Sequence, residues 1–84
     1  MKIGVAGSLE SNDALITVTP SDKMEIEIDS IVYDFFHEQI EEVIVSTLSE
    51  LKKQNLRVDC RDKGALDYTI RARLITAIQR MEEM

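Results

Sequence analysis

Gly7-Ser8-Leu9-Glu10-Ser11-Asn12-Asp13 is a short polar turn between two β-patterned runs. It holds a serine hydroxyl where a large group could hang without disturbing a core. Ser11 has no histidine beside it in the sequence, and a nucleophilic serine needs a base within hydrogen-bond reach. Ser11 could simply stabilise the turn, as turn serines commonly do; if it does chemistry, it is as an attachment point modified by another enzyme. Glu10 and Asp13 flank it and could hold that enzyme or a metal-bound nucleotide substrate; they could equally be solvated turn acids. Elsewhere the supply is thin: one histidine (His37), one cysteine (Cys60), no tryptophan and no cluster with metal-ligand spacing. His37 falls beside the apolar stripe of a helical segment with no partner group. Cys60 falls on the inward face of a strand and reads as a small buried apolar side chain. The acids are spread over exposed faces, so no carboxylate pair stands out for acid–base work. Gly4 and Gly7 lack the spacing, and the following helix, of a phosphate-cradling loop. Nothing here assembles a catalytic group.

Size and charge narrow the reading further. Eighty-four residues, 44% of them hydrophobic, suit one folded domain over residues 1–84. A single cysteine allows no internal disulfide, which suits a reducing compartment. The apolar run after Met1 is too short for a signal peptide, and no stretch approaches the ~18 apolar residues of a membrane span. The expectation is a soluble cytoplasmic protein. A net charge of −6 argues against nucleic acid, which rewards basic faces. The charge is segregated: residues 1–50 carry two lysines against eleven acids, while residues 51–84 carry eight bases against five acids. Such a dipole can orient a small protein toward charged partners, or simply keep its surface solvated.

The elements that must position the turn follow from periodicity. Alternation over 3–9 sets Ile3, Val5 and Leu9 on one face, and over 14–19 it sets Ala14, Ile16 and Val18 inward. Residues 10–13 join these strands at hairpin-loop length, with Ser11 at the tip. A third strand at 24–29 is expected to bury Met24, Ile26 and Ile28. Ser30 then suits a helix N-cap, and an amphipathic helix runs to about residue 53. A strand at 56–61 turns Leu56, Val58 and Cys60 inward. A second helix from about Ala65 lines up Leu66, Ile70, Leu74, Ile78 and Met81, with Arg71 spaced to pair with Asp67. The strand–helix–strand unit over 24–61 should bring its strands together in parallel or as near neighbours. The expected fold is α+β, a two-layer sandwich in ββαβα order, with an N-terminal β-hairpin in a small sheet and two helices packed on one face.

Two resemblances bear on the serines. Asp29-Ser30-Ile31 resembles the Asp-Ser-Leu attachment motif of fatty-acid-type acyl carrier proteins, but those are all-helical bundles and the strand patterns here disagree. Gly7-Ser-Leu-Glu-Ser-Asn-Asp, followed by Asp62-Lys-Gly-Ala-Leu-Asp and Arg71-Ala-Arg-Leu, resembles the acyl carrier (gamma) subunits of citrate lyase over essentially the whole chain. That resemblance implies a non-catalytic subunit whose Ser11 carries 2'-(5''-phosphoribosyl)-3'-dephospho-CoA through a phosphodiester. It implies acetyl and citryl thioesters on that arm, an alpha subunit that exchanges acetyl for citryl, a beta subunit that cleaves citryl, and a transferase that attaches the group. Glu10, Asp13, Asp62 and Lys63 become candidates for recognition by a partner or transferase. The Asp62–Asp67 segment is further expected to cap the second helix and support docking onto a partner subunit. The alternatives are a malonate decarboxylase carrier, similar in its prosthetic group, and an unmodified protein-interaction module.

Overall fold

The computed structural model describes residues 2–84. Four strands and two helices follow in the order β1 (Gly4–Ala6), β2 (Ala14–Pro20), β3 (Glu25–Ser30), α1 (Tyr33–Glu50), β4 (Leu56–Asp62) and α2 (Asp67–Glu82). The fold is α+β as expected, with three strands before the first helix, so the ββαβα order is one strand short. The sheet runs β1-β2-β4-β3. β1 and β4 each pair antiparallel with β2, and β3 pairs parallel with β4, as a strand–helix–strand crossover requires.

Both central strands alternate. Ala14, Ile16 and Val18 of β2 and Leu56, Val58 and Cys60 of β4 are buried on the face that the helices cover. Ile40, Ile44 and Leu48 of α1 and Ile70, Leu74, Ala77 and Ile78 of α2 complete that core. Apart from Val5 and Leu15, the opposite face of the sheet is polar. There Arg57 on β4 pairs with Glu27 on the neighbouring edge strand, and Arg61 lies 4.0 Å from Asp59.

Three readings of the elements change. In β1 the faces are inverted: Gly4 and Ala6 point inward, while Val5 is 41% exposed. The reason is steric. α2 lies so close that a Cβ on Gly4 would come 1.8 Å from the carbonyl oxygen of Ala77, so only the smallest side chains fit beneath it. Met24 lies before β3 and is exposed, and Ile26 and Ile28 are only partly buried, because β3 is an edge strand. Ser30 is the last residue of β3 and not a helix cap; Val32 holds the N-cap position of α1. At its far end α1 closes with Lys52 in the left-handed conformation (φ 58°), Lys53 N–H donating to Leu48 and Lys52 N–H to Ser49. These two bonds satisfy carbonyls that the helix end would otherwise leave open.

Candidate attachment site

The Gly7–Asp13 connection is built from local turn chemistry. Asp13 N–H donates to Glu10 carbonyl at 3.2 Å, closing a four-residue turn with Ser11 and Asn12 at its centre. Asn12 has φ 66°, the left-handed conformation that a type II turn needs at its third residue and that Asn tolerates better than most. Gly7 opens the connection at φ 94°, where a Cβ would meet the Ala14 carbonyl oxygen at 1.8 Å. No other residue fits there without moving β2.

The turn is then tied to the body of the protein on two sides. On one, Asn12 N–H donates to Lys63 carbonyl at 2.8 Å and Lys63 N–H donates to Asp13 carbonyl at 2.9 Å. These bonds carry the β2–β4 ladder one step past its last pair, Ala14 with Asp62. On the other, Arg73 of α2 grips the Asp13 carboxylate, Nε at 2.9 Å and the terminal nitrogen at 3.3 Å. Ser8 Oγ donates to the same carboxylate at 2.8 Å, as does Ala14 N–H at 2.7 Å. The Arg73 guanidinium first, and then the Ser8 hydroxyl, hold the Asp13 carboxyl down at about 2, below the ordinary value of 3.8. Asp13 is thus ionised at any physiological pH and acts as a fixed strut.

Between these ties Glu10, Ser11 and Asn12 are exposed. The loop's hydroxyl hydrogen bonds come from Ser8, which also accepts from Glu10 N–H at 3.3 Å, and not from Ser11. Ser11 therefore offers an unencumbered hydroxyl on a backbone that is held at both ends. Ser30 is the opposite case. Its hydroxyl donates to Asp62 Oδ2 at 2.8 Å and accepts from Val32 N–H at 3.1 Å, so both its functions are taken.

The structure brings Glu10, Ser11, Asp13 and Lys63 into one neighbourhood. Asp62 lies beside them with a different task. It is 2% exposed, and its carboxylate accepts from Ser30 and, at 2.8 Å, from Ala65 N–H. This corrects the expectation that the Asp62–Asp67 segment caps the second helix: Asp62 secures the 62–65 turn, and α2 starts from Leu66 with no side-chain cap. A carboxylate so enclosed is also no exposed recognition group. Arg71 likewise pairs with Glu50 at 2.7 Å, while Asp67 accepts from Gln39 at 3.0 and 3.1 Å. Arg73 was the residue whose role periodicity did not reveal. Its neighbour seven positions on, Arg80, also reaches the hairpin, donating to Val5 carbonyl at 2.8 Å. Two arginines spaced by seven along one flank of the apolar stripe were the available signal. His37 stacks on Tyr33 with ring centroids 4.4 Å apart, and its Nδ1 lies 2.8 Å from Tyr33 carbonyl. Burial, with Asp62 and Asp59 adding to it, pushes the Cys60 thiol up to about 12, so it is inert as a nucleophile. Among the described residues, no group of three His, Cys, Asp or Glu side chains could hold a metal ion. No described helix is long and apolar enough to cross a membrane.

Comparison with known proteins finds relatives over nearly the whole chain. Residues 1–81 match the ACP family described as malonate decarboxylase delta subunit (MdcD). The citrate lyase acyl carrier protein of Treponema denticola is 42% identical over 79 residues, 94% of this chain and 91% of that one. The chain belongs to this acyl carrier family. The corresponding protein of Fusobacterium nucleatum subsp. nucleatum is 46% identical, covering 96% of this chain and 88% of that one. That of Streptococcus pyogenes serotype M5 is 50% identical, covering 90% and 76%. Among solved structures, a chain of a Pseudomonas malonate decarboxylase hetero-tetramer in complex with malonate shares the fold. Its TM-score is 0.78 at 21% identity, over 98% of this chain and 82% of that one. The chain is an acyl carrier subunit, the non-catalytic role that the residues themselves indicated.

Proposed function

We propose that the chain, as one domain over residues 1–84, is the carrier subunit of a cytoplasmic citrate lyase, with Ser11 the covalent attachment point for phosphoribosyl-dephospho-CoA. The observation that carries this reading is the contrast in hydroxyl availability: Ser11 is exposed on a pinned turn, while Ser30 is engaged on both sides. The residues present suit such a group. A phosphodiester on Ser11 would stand in solvent with no core atom to displace, beside the half-buried Lys63 and the exposed Glu10. When attached, the group supplies a terminal thiol that holds the acyl unit as a reactive thioester.

The chain's own residues supply position. Asp13 and Arg73 fix one side of the turn, and the Lys63 backbone fixes the other, so the arm's origin is set while its far end is free to sweep. A tether of that kind raises the effective concentration of its end at both the alpha and the beta subunit. Glu10 and Lys63 are the charges left near Ser11 for a transferase to read. Identities of 42–50% to citrate lyase carriers support that parent enzyme over malonate decarboxylase, whose support is the family description and a fold neighbour at 21%.

Reconstitution tests the reading. Chain loaded by the transferase and mixed with alpha and beta subunits is expected to yield oxaloacetate from citrate. Ser11→Ala, treated identically and with an unchanged circular dichroism spectrum, is expected to yield none. Full activity of Ser11→Ala would contradict the assignment.

A further inference from the structure

The start of α1 departs from the economy of the rest of the fold. Ile31 is 65% exposed, Phe35 84%, Phe36 46%, Leu66 59% and Tyr68 71%. Large apolar side chains scattered singly need no explanation, but a contiguous group of this kind on a small protein marks a surface that something covers. Three of these side chains, Phe36, Leu66 and Tyr68, line a cleft of about 530 Å³ between α1 and the start of α2, with Val32 and Ile40 also in its walls and Gly64 at its edge. The cleft adjoins the serine turn. A Cβ on Gly64 would lie 3.6 Å from Asn12 Oδ1 and 3.8 Å from Ile31 Cδ1.

Charge identifies the kind of occupant. α1 carries Asp34, Glu38, Glu41, Glu42 and Glu50 and no lysine or arginine. Among the described residues only Glu50 of these forms an ion pair, with Arg71. Asp34, Glu38 and Glu42 follow one another at i, i+4 spacing, along the side of the helix on which Phe35 stands. Like charges so placed repel one another and weaken a helix. The sequence retains this cost beside an apolar patch, and a basic surface laid against it would relieve the repulsion. A second copy of the chain would bring the same acidic row and a net charge of −6.

Building on the carrier reading, we propose that this face is the docking surface for a catalytic subunit that inserts an apolar side chain into the cleft and sets lysines or arginines along α1. Apolar burial at the centre would supply affinity, and the acidic row would steer and orient the encounter. Docking there places the Ser11 turn at the rim of the interface, so an arm rooted on Ser11 starts beside the partner.

The test measures binding of the intact chain to separately purified alpha and beta subunits by calorimetry at several salt concentrations. Phe35→Ser and Tyr68→Ser remove exposed side chains and should leave the unfolding temperature unchanged. Each is expected to weaken binding about tenfold or more. The double variant Glu38→Lys, Glu42→Lys is expected to weaken it several-fold and to flatten its salt dependence. Wild-type affinity in all three variants would overturn the docking face while leaving the carrier reading intact. A wild type that binds neither subunit would remove both. Sedimentation that shows a wild-type dimer, dispersed by Phe35→Ser, would instead assign the face to a second copy and overturn the proposal.

Discussion

The Gly7–Asp13 turn and the Ser30–Val32 junction are two polar corners supported by neighbouring residues of one segment, yet they treat their serines in opposite ways. Lys63 holds the first corner through its backbone alone, so the side chain at the tip stays free. Asp62 holds the second through its carboxylate, and the serine hydroxyl is part of the fastening. The two serines thus differ in how their surroundings satisfy their hydrogen bonds. The three-residue resemblance around Ser30 carries no such information.

The contrast can be broken at its hub. Asp62→Ala would strand the Ser30 hydroxyl and the Ala65 N–H near a buried position, and a loss of about 3 kcal/mol in denaturant unfolding is expected. Stability unchanged within error would mean that Asp62 fastens nothing.

A smaller effect is expected at the free corner. Asp13→Asn removes the charge that Arg73 and Ser8 hold, costing on the order of 1–2 kcal/mol near neutral pH. Because folding lowers the Asp13 pKa from 3.8 to about 2, the wild type's advantage is fully present above about pH 4. It fades as the pH falls through that interval toward 2, when folded and unfolded chains both become protonated. Stability curves of the two proteins should therefore converge in acid. Parallel curves down to pH 2 would show that the Arg73 grip is not coupled to folding.

The smallest change is Ser30→Ala, expected to cost about 1 kcal/mol as a lost hydrogen-bonding hydroxyl and to leave modification of the chain untouched. A transfer assay on this variant sharpens the contrast, since impaired loading would mean that Ser30 contributes more than fastening.

Much of this was legible in the sequence, for identifiable reasons. β2, β4 and α2 bury large side chains on one face only, so their periodicity reports their packing directly. The 10–13 turn was legible because Asn12 and Asp13 are there for local backbone reasons. β1 was misread because its inward face is defined by what is missing: Gly4 and Ala6 give α2 room, and a pattern search weights Ile3 and Val5 instead. The chain from Ile31 into the first turn of α1 reads as core because Ile31, Phe35 and Phe36 are apolar, though each is exposed. Lys63 and Arg73 act across gaps of about fifty and sixty residues, one through its backbone and one through a side chain outside the apolar stripe. The Lys63 contact leaves no local signature, and the Arg73 contact leaves only the seven-residue spacing to Arg80.

The free hydroxyl of Ser11, and not the fastened one of Ser30, is proposed to carry the modification. The most direct measurement is an intact mass of the chain from its native host, with a peptide map locating any added group. One phosphoribosyl-dephospho-CoA increment, confined to the peptide containing Ser11, is the predicted result. A phosphopantetheine increment on Ser30, or an unmodified chain drawn from cells making active complex, would contradict it.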